Sequence, residues 1–230
     1  IYTDVDGIYT ADPRVCPRAR KLKEISYDEM LELASLGAKV LHTRSVAFAK
    51  KYGVPLCVRS SFTDDEGTRV VDAEDVMEKV PVAGVVHNPN EALLVLTDLP
   101  LDKRITAELF RRLAEKQIPV DMIVQSPTSA TSLEIAFTVS IDHFDAAREA
   151  IEPLVRRYGA KVSVDKEVSK VAVVGTGLRD DPHMAAKIFE TLADENIPVL
   201  AVSTSEIKIA CLIPAKYTEL AVRALHQTFE

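Results

Sequence analysis

A motif that ends in Ile-Pro-Val occurs twice in this chain and constrains its fold more than any other feature. The first copy runs over residues 110–120 and the second over residues 189–199. In both copies Phe, Leu-Ala and Ile-Pro-Val occupy the same places, so one constant spacing relates them. An internal repeat of this kind predicts that the structural unit around the motif is also built twice.

Each copy lies within the same predicted order of elements. A strand comes first (92–96 and 170–174), followed by a helix with an apolar 3.6-residue rhythm. A strand follows each Ile-Pro-Val, and a hairpin partner and a second helix come after it. The helices and hairpin partners are expected at about 105–116, 133–140 and 144–158 in the first copy, and at about 184–195, 206–213 and 217–228 in the second. With one further strand to close each unit, this order predicts two ferredoxin-like α+β domains with helices on one face.

The start of the chain combines turn formers with charged side chains. Residues 3–14 read Thr-Asp-Val-Asp-Gly-Ile-Tyr-Thr-Ala-Asp-Pro-Arg. Asp6-Gly7 predicts a tight turn, because glycine adopts positive φ without steric cost. Arg14 then places a permanent planar cation at the end of the loop, where it suits a phosphate or a carboxylate. On these residues alone, the turn dipeptides favour a surface turn with an ion-paired arginine.

The next residues predict two helices and a strand. Ser26 and Glu29 form a capping-box pattern ahead of an apolar rhythm, and Gly37 is a natural helix stop. A second helix is expected over about residues 44–52, and a buried strand over 54–58.

A run of carboxylates follows over residues 63–79. These side chains could form a cation site. A solvated linker with a short acidic helix is the favoured interpretation, because carboxylate runs usually face water. We therefore expect a domain boundary within residues 63–81.

The residues together resemble one known family. Residues 3–14 closely resemble the nucleotide-binding segment of aspartate kinases, which belong to the amino-acid kinase family. Residues 26–42 resemble the helix and lysine turn that follow in that family, and residues 58–62 resemble the end of its kinase domain. The two repeats resemble the paired ACT domains of the same enzymes. Gln125-Ser126 and residues 203–207 lie where the family carries its Gln-Asn and Ser-Thr-Ser-Glu-Ile stretches.

The resemblance implies an α/β fold with a defined domain order. The chain would hold the C-terminal part of an amino-acid-kinase α/β domain, followed by two ferredoxin-like (ACT) α+β domains. The corresponding ranges are 1–62 for the nucleotide-binding kinase part, 63–81 for the acidic linker, 89–163 for the first ACT domain and 164–230 for the second. Because the two ACT domains of the family exchange strands, the strand at 82–88 is expected to complete the second domain.

The resemblance also implies an activity. Aspartate kinases transfer the γ-phosphoryl group of ATP to L-aspartate and form 4-phospho-L-aspartate, the first step towards lysine, threonine and methionine. Such transfer needs mainly alignment and charge neutralisation, with Mg²⁺ bridging the phosphates. The implied nucleotide-binding residues divide into three groups. Thr3 and Asp4 line the adenine and ribose pocket, Tyr9 packs near the nucleotide while Arg14 neutralises phosphate charge, and Lys39 and Val40 close the other side.

Simpler roles remain open for several of these residues. Lys39 could be a solvated lysine that interacts with a helix C-terminus. Tyr9 could be a core tyrosine with a hydrated hydroxyl. Arg59 could hold the edge of the domain through an ion pair.

The catalytic residues themselves are expected upstream of Ile1. In the family, the N-terminal part of the kinase domain supplies the first phosphate-binding lysine and the residues that hold aspartate. The chain as given is therefore expected to carry half of a nucleotide site and no aspartate site. We expect that this polypeptide alone does not turn over.

Amino-acid effectors would bind to the ACT domains. The candidate effector-binding residues are Asp121, Gln125 and Ser126 in the first domain and Thr204, Ser205 and Glu206 in the second. Ordinary polarity of an exposed strand is the alternative. Two loops depart from the family, because residues 101–104 and 181–183 lack the glycine that allows close backbone approach to a ligand. We therefore expect weak or altered binding of lysine or threonine.

Composition excludes several other classes of function. A formal net charge of -7 argues against binding nucleic acid or anionic membranes. The sequence has no apolar run long enough to span a bilayer and no recognisable signal peptide. Cys16, Cys57 and Cys211 are odd in number and irregularly spaced, which indicates reduced thiols in the cytoplasm. The five histidines are scattered, so no metal site is predicted.

Two further hypotheses remain open. The chain could be a non-catalytic amino-acid-sensing regulatory subunit built on tandem ACT domains, or a kinase for another substrate. The intact segments around Arg14 and Lys39 count against the first, and the tandem repeats count against the second. In either case a homodimer or higher oligomer is expected, because ACT sheets commonly pair edge to edge.

Overall fold

A computed structural model describes residues 2–37, 40–76, 80–178 and 181–230 of the chain. These residues form two compact units. The larger unit contains Ile1–Asn88 and Lys170–Glu230, and the smaller contains Pro89–Ser169. The predicted division differs from this arrangement, since the N-terminal segment and the second repeat pack into one unit and the boundary before the second repeat lies at residue 170 instead of 164.

The N-terminal segment folds around a four-stranded sheet. Its strands are β1 (Tyr2–Thr3), β2 (Glu24–Ser26), β3 (Leu56–Ser60) and β4 (Thr68–Val71), in the order β1-β3-β4-β2. β1 and β3 are parallel, β4 runs antiparallel to β3, and β2 runs parallel to β4. Two helices, α1 (Tyr27–Ser35) and α2 (Thr43–Tyr52), connect β2 to β3.

The predicted ends of these helices are confirmed. Ser26 Oγ accepts a hydrogen bond from the Glu29 amide, and the Glu29 carboxylate accepts one from the Ser26 amide, which completes the capping box. α1 ends shortly before Gly37, whose φ is 111°. The predicted strand at 54–58 is shifted by two residues in the structure, to Leu56–Ser60.

The prediction of a solvated linker over residues 63–81 is wrong for its central part. Thr68–Val71 form β4, an inner strand of the sheet, and Thr68 and Val70 have no exposed surface (0% each). The described carboxylates, at residues 64–66 and 72–75, flank this strand and are exposed on either side of it. A buried strand of only four residues therefore lies between two acidic stretches. The surrounding carboxylates made its strand pattern hard to recognise in the sequence. Residues 77–79, where the acidic helix was expected to end, lie outside the described residues.

The smaller unit has the order of elements predicted from the first repeat. Its elements are residues 89–100 of β5 (Gly84–Pro100), α3 (Lys103–Glu115), β6 (Ile123–Pro127), β7 (Ser132–Val139), α4 (Phe144–Tyr158) and residues 161–169 of β8 (Lys161–Val174). The strand order is β6-β7-β5-β8, and β7 is antiparallel to both β5 and β6. The first, second, third and fourth strands of the unit therefore lie in the order 2-3-1-4, which is the ferredoxin-like arrangement. Its core is aliphatic apart from Phe137 and Phe144.

The second repeat repeats this arrangement within the larger unit. It contains residues 170–174 of β8, α5 (His183–Asp194), β9 (Ala201–Ser205), β10 (Lys208–Pro214) and α6 (Thr218–Phe229), in the strand order β5-β8-β10-β9. Residues 84–88 of β5 belong to this unit and supply its fourth strand. Short 3₁₀ helices (Ile141–His143, Thr176–Leu178, Ala215–Tyr217) precede α4, α5 and α6. The predicted fold class, a mixed α/β chain with two ferredoxin-like units, is confirmed.

The sheet of the second repeat is buried on both faces. Val171 and Val173 pack with α5 and α6, whereas Ala172 and Val174 pack against the core of the N-terminal segment. Alternate residues of a strand point to opposite faces, so a strand covered on both sides is apolar throughout. This explains why residues 171–174 form a continuous apolar run.

Candidate nucleotide-binding site

The segment after β1 is folded against the chain around residues 20–22 and against Thr68. Ile8 O accepts a hydrogen bond from the Leu22 amide at 2.8 Å, and the Ile8 amide donates to Thr68 Oγ1 at 2.8 Å. A Cβ at Gly7 would lie 2.6 Å from Thr68 Oγ1, so the turn at this position requires glycine. The structure shows a bend at residues 4–7 in place of the predicted tight turn, and Thr68 of β4 holds the residues that follow it.

Tyr9 lies in a cluster of charged side chains. Its hydroxyl donates to the Asp6 carboxylate, with distances of 2.9 and 3.1 Å to the two oxygens. Burial, and then this hydrogen bond, raise the pKa of Tyr9. The hydroxyl is thus a protonated donor tied to a neighbouring residue, and the ring is half-buried.

Lys21 completes the cluster. Its Nζ lies 3.5 Å from Asp6 Oδ2 and forms a close ion pair with Asp65. The hydrogen bond with Asp65 raises the pKa of Lys21, and the same contact lowers the pKa of Asp65. Asp65 follows β3 and Lys21 precedes β2, so the fold brings together residues that are distant in sequence. Lys21, Asp6 and Asp65 were not predicted as site residues, because no local pattern in the sequence marks the pair of Lys21 with Asp65.

Arg14 forms the ion pair that the turn alone predicted. Its Nε and Nη2 donate to the two oxygens of Asp12 at 3.0 and 2.8 Å, and its amide also donates to Asp12 Oδ1. The Arg14 side chain is 89% exposed. The hydrogen bond from Arg14 lowers the pKa of Asp12. The guanidinium is held by one carboxylate and open to solvent, a state from which it can reach an incoming anion.

The structure gives fewer contacts for the other predicted nucleotide-binding residues. Thr3 ends β1, and its hydroxyl donates to Asp4 Oδ1 at 3.0 Å. Asp4 is exposed. Val40 packs against the core of the N-terminal segment. Lys39 lies outside the described residues. Hydrogen bonds therefore join each of Thr3, Tyr9 and Arg14 to a carboxylate of the same segment.

Arg59 acts through backbone contacts. Its Nε and Nη2 donate to the carbonyl oxygens of Asp65 and Asp64 at 2.9 and 3.1 Å. It holds the connection between β3 and β4, and with it the carboxylate that pairs with Lys21.

The effector candidates of the first repeat lie on or beside an edge strand. Gln125 and Ser126 belong to β6, all five residues of which are exposed. Gln125 Oε1 accepts a hydrogen bond from the Thr106 hydroxyl of α3 at 2.7 Å, and the Asp121 amide donates to Thr138 O at 3.1 Å. α3 begins with Asp102 as its N-cap, whose carboxylate accepts from the Arg104 amide.

The candidates of the second repeat occupy the equivalent place. Thr204 and Ser205 are exposed residues of β9, and Glu206 lies in the turn to β10. The connection from β8 to α5 contains Gly175 and Gly177, where added Cβ atoms would lie 2.3 and 2.5 Å from Pro81. The two glycines of this loop therefore allow it to pack closely against Pro81. Residues 181–183 contain no glycine.

Two kinds of feature were not found among the described residues. Within 2–37, 40–76, 80–178 and 181–230, no group of three or more His, Cys, Asp or Glu side chains could hold a metal ion. Over the same residues, none of the helices has the length and hydropathy needed to cross a membrane.

Comparisons with known proteins match two separate parts of the chain to two families. Residues 1–60 match the amino acid kinase family, and residues 171–229 match the ACT domain family. The aspartate kinase of Pseudomonas putida is 43% identical over 100% of this chain and 56% of its own length. The chain thus spans a little more than half the length of the curated relatives it matches.

Solved structures give the same result. The regulatory subunit of the Thermus thermophilus aspartate kinase is 37% identical, with a TM-score of 0.63 over 65% of this chain and 99% of that subunit. Aspartokinase III of E. coli in complex with aspartate and ADP is 29% identical, with a TM-score of 0.84 over 99% of this chain and 51% of that protein. The same E. coli protein in complex with lysine and aspartate gives a TM-score of 0.75 at 30% identity over 100% of this chain and 51% of that protein.

Proposed function

Since the chain belongs to the aspartate kinase family, we propose that the complete polypeptide transfers the γ-phosphoryl group of ATP to the side-chain carboxylate of L-aspartate. The product is 4-phospho-L-aspartate, the first intermediate towards lysine, threonine and methionine, and the reaction is placed in the cytoplasm. The observation that carries the proposal is the likeness to E. coli aspartokinase III with aspartate and ADP over 99% of the chain. Within the complete enzyme, this chain supplies one wall of the nucleotide cleft and the regulatory domains.

The segment at residues 3–14 would hold the nucleotide. Thr3 and Asp4 would line the adenine and ribose pocket, with Tyr9 beside them. Arg14 would give up part of its hydrogen bonding to Asp12 and donate to phosphate oxygens instead, since a guanidinium can bind two anions with its five N–H groups. Lys39 and Val40 would close the opposite side of the nucleotide. Phosphoryl transfer requires mainly alignment and charge neutralisation, which these roles provide.

Magnesium would enter with ATP, bridging its phosphates. The residues that hold aspartate and align the transfer would lie in the part of the relatives that precedes this chain.

The nucleotide role is tested with Arg14→Ala in the complete polypeptide. We expect the KM for ATP to rise while the KM for aspartate stays unchanged, because Arg14 would contact only phosphate. Arg18→Ala is the matched control, since Arg18 is an exposed arginine of the same loop. An unchanged KM for ATP in Arg14→Ala would contradict the assignment.

The division of labour is tested with the isolated chain. ADP release in the presence of aspartate, ATP and magnesium is expected to stay at the background level. Turnover by these 230 residues alone would show that an aspartate site lies within them.

A regulatory subunit is the second candidate function, because the regulatory subunit of the Thermus thermophilus enzyme is covered over 99% of its length. This candidate predicts binding of an amino acid and no binding of ADP. Both candidates include regulation by lysine or threonine through the ACT domains and assembly into a homodimer or higher oligomer. The exposed apolar side chains of Ile123 and Val124 on the edge strand β6 support association.

A further inference from the structure

Thr10 lies within the proposed nucleotide-binding segment and uses both its backbone and its side chain to fix that segment. Its amide donates to Arg20 O at 2.9 Å, and its carbonyl accepts from the Val85 amide at 2.8 Å. Its Oγ1 accepts from the Arg20 amide at 2.9 Å and lies 2.7 Å from His226 Nε2. Two of these contacts, with Val85 of β5 and His226 of α6, come from the second ACT domain.

His226 is a buried histidine directed at this threonine. It is 5% exposed and lies in the last turn of α6. Its Nδ1 is buried and has no hydrogen-bond partner among the described residues, and it lies 4.0 Å from Glu230 Oε2. The contact with Thr10 therefore accounts for the hydrogen bonding of the ring, since an imidazole bonds through its two nitrogens.

The second ACT domain also shares its hydrophobic core with the same segment. Ala11 and Cys16, 3% and 4% exposed, pack in one cluster with Val171 and Leu225. β5 approaches so closely that a Cβ at Gly84 would lie 2.9 Å from Thr10 O. The residues on both sides of the turn are thus held by the regulatory domain, and Arg14 lies between Ala11 and Cys16 in the sequence.

A cavity of about 520 Å³ borders the contact. Thr10, Arg20, Val85, His226 and Phe229 are among the residues that line it. Thr10 and His226 both border this space, so a truncated side chain at either position leaves its partner beside the cavity.

We propose that His226 is a positioning residue for the nucleotide: through Thr10 it holds the segment that carries Tyr9 and Arg14 in the geometry that binds ATP. The inference rests on the proposed nucleotide role of residues 3–14. It makes α6 of the second ACT domain a structural support of the nucleotide cleft, whether or not an effector is bound. The amino-acid substrate is not involved in this contact.

The test compares four single variants and one double variant in the complete polypeptide by titration calorimetry with magnesium ADP and by steady-state kinetics. His226→Leu and Thr10→Val each remove one side of the hydrogen bond, and Thr10→Val also removes the acceptor of the Arg20 amide. His226→Gln keeps a polar atom near the position of Nε2, and Gln227→Leu alters the exposed neighbour of His226 on the same helix. We expect about threefold to tenfold weaker ADP binding in His226→Leu and Thr10→Val, the loss typical of one hydrogen bond. Their double variant is expected to lose no more than Thr10→Val alone, because that substitution already removes the hydrogen bond with His226. His226→Gln and Gln227→Leu are expected near the original affinity.

A merely structural role for His226 would affect both substrates, so the KM for aspartate must stay unchanged while the KM for ATP rises. Hydrogen exchange of residues 8–16 without nucleotide gives an independent readout, and we expect faster exchange in His226→Leu and Thr10→Val. Unchanged exchange and unchanged ADP affinity in both folded variants would overturn the proposal. If the unsubstituted protein binds no ADP, both the proposed function and the role of His226 are wrong. If it binds ADP and both variants bind ADP equally well, only the role of His226 is wrong.

Discussion

Glu29 is a buried carboxylate at the contact between α1 and the second ACT domain. One oxygen accepts from the Ser26 amide and hydroxyl at 3.2 and 2.7 Å, and the other accepts from the Thr176 amide at 3.1 Å. The sequence could show the capping box, because Ser26 and Glu29 are local partners. It could not show Thr176, which is distant in the chain and reaches Glu29 only when the domains pack.

The bridge predicts the effect of Glu29→Gln. The glutamine side chain keeps one acceptor oxygen, but an NH₂ group replaces the other oxygen and faces a backbone N–H. One buried N–H therefore loses its acceptor. We expect a loss of about 1–3 kcal/mol in the free energy of unfolding, measured by urea denaturation. Glu74→Gln, an exposed glutamate of the same segment, is the control and is expected to change stability by less than about 0.5 kcal/mol. Equal stability of the two variants would show that the Thr176 contact is not made in solution.

His226 predicts a pH dependence of stability. Burial lowers its pKa, opposed by Glu230 and reinforced by Arg20, the two charged groups that act on it. The pKa of such a histidine is lower in the folded state than in the unfolded state, where it is about 6.5. Its contribution to stability is fully present at a pH above the unfolded pKa, and it is lost as the pH falls through the folded pKa. We therefore expect unfolding free energy to fall between about pH 7 and pH 5, and to fall less steeply in His226→Gln. Parallel slopes in urea denaturation at pH 5, 6 and 7 would contradict this.

At the scale of elements, the repeated motif is explained by the ends of two helices. Gln117 and Asn196 both have φ of 56°, and each lies two residues after the last residue of its helix, α3 or α5. In each repeat the next isoleucine donates its amide to a leucine carbonyl of the last turn (Ile118 to Leu113, Ile197 to Leu192). This is the Schellman motif, in which a left-handed residue ends the helix and the following apolar side chain packs back on it. The Leu, Ile and Pro of the repeat are therefore a helix stop, although no glycine marks it.

This helix end predicts that glycine is preferred where glutamine stands. A non-glycine residue in the left-handed region pays a steric cost, which asparagine reduces and glutamine does not. We expect Gln117→Gly to raise the unfolding free energy by about 0.5–1 kcal/mol and Asn196→Gly to raise it by less. Lys116→Gly, at the preceding residue with φ of −92°, is the control and is expected to destabilise. Thermal denaturation of the three variants distinguishes these signs.

The elements also show why sequence predicts some parts of this fold and not others. The helices and hairpin partners of the repeats were predicted within two residues, because each has an internal rhythm that appears twice. The first strand of each repeat was predicted only as a part of the longer strands β5 and β8. β4 was missed because its four residues are too few to show a rhythm between carboxylates. The cluster of Tyr9, Asp6, Lys21 and Asp65 was missed for another reason, since it depends on β3 and β4 returning beside the first turn.

At the scale of the whole molecule, two strands serve both units. β5 supplies residues 84–88 to the larger unit and 89–100 to the smaller, and β8 is divided at residue 170. The repeat in the sequence predicts two similar units, but it does not show that the second unit takes its fourth strand from the residues before the first. That exchange was inferred from the resemblance to a family, because the strand at 84–88 has no copy elsewhere in the repeat.

The proposed binding of amino-acid effectors also belongs to the scale of the whole molecule, and two loops predict that this binding is weak. Asp102 caps α3 and the connection before it has no glycine, so the backbone there cannot approach a ligand as closely as glycine would allow. In the second repeat, Gly175 and Gly177 already face Pro81. We expect lysine and threonine, alone or together, to leave the thermal denaturation of the complete polypeptide unchanged at micromolar concentrations and to stabilise it only at millimolar ones. A ligand at 100 times its Kd adds about 2.7 kcal/mol, so tight binding would be visible at once. D-lysine and D-threonine are the controls for solvent effects, and a clear shift at micromolar L-lysine would show that effector binding does not need the missing glycines.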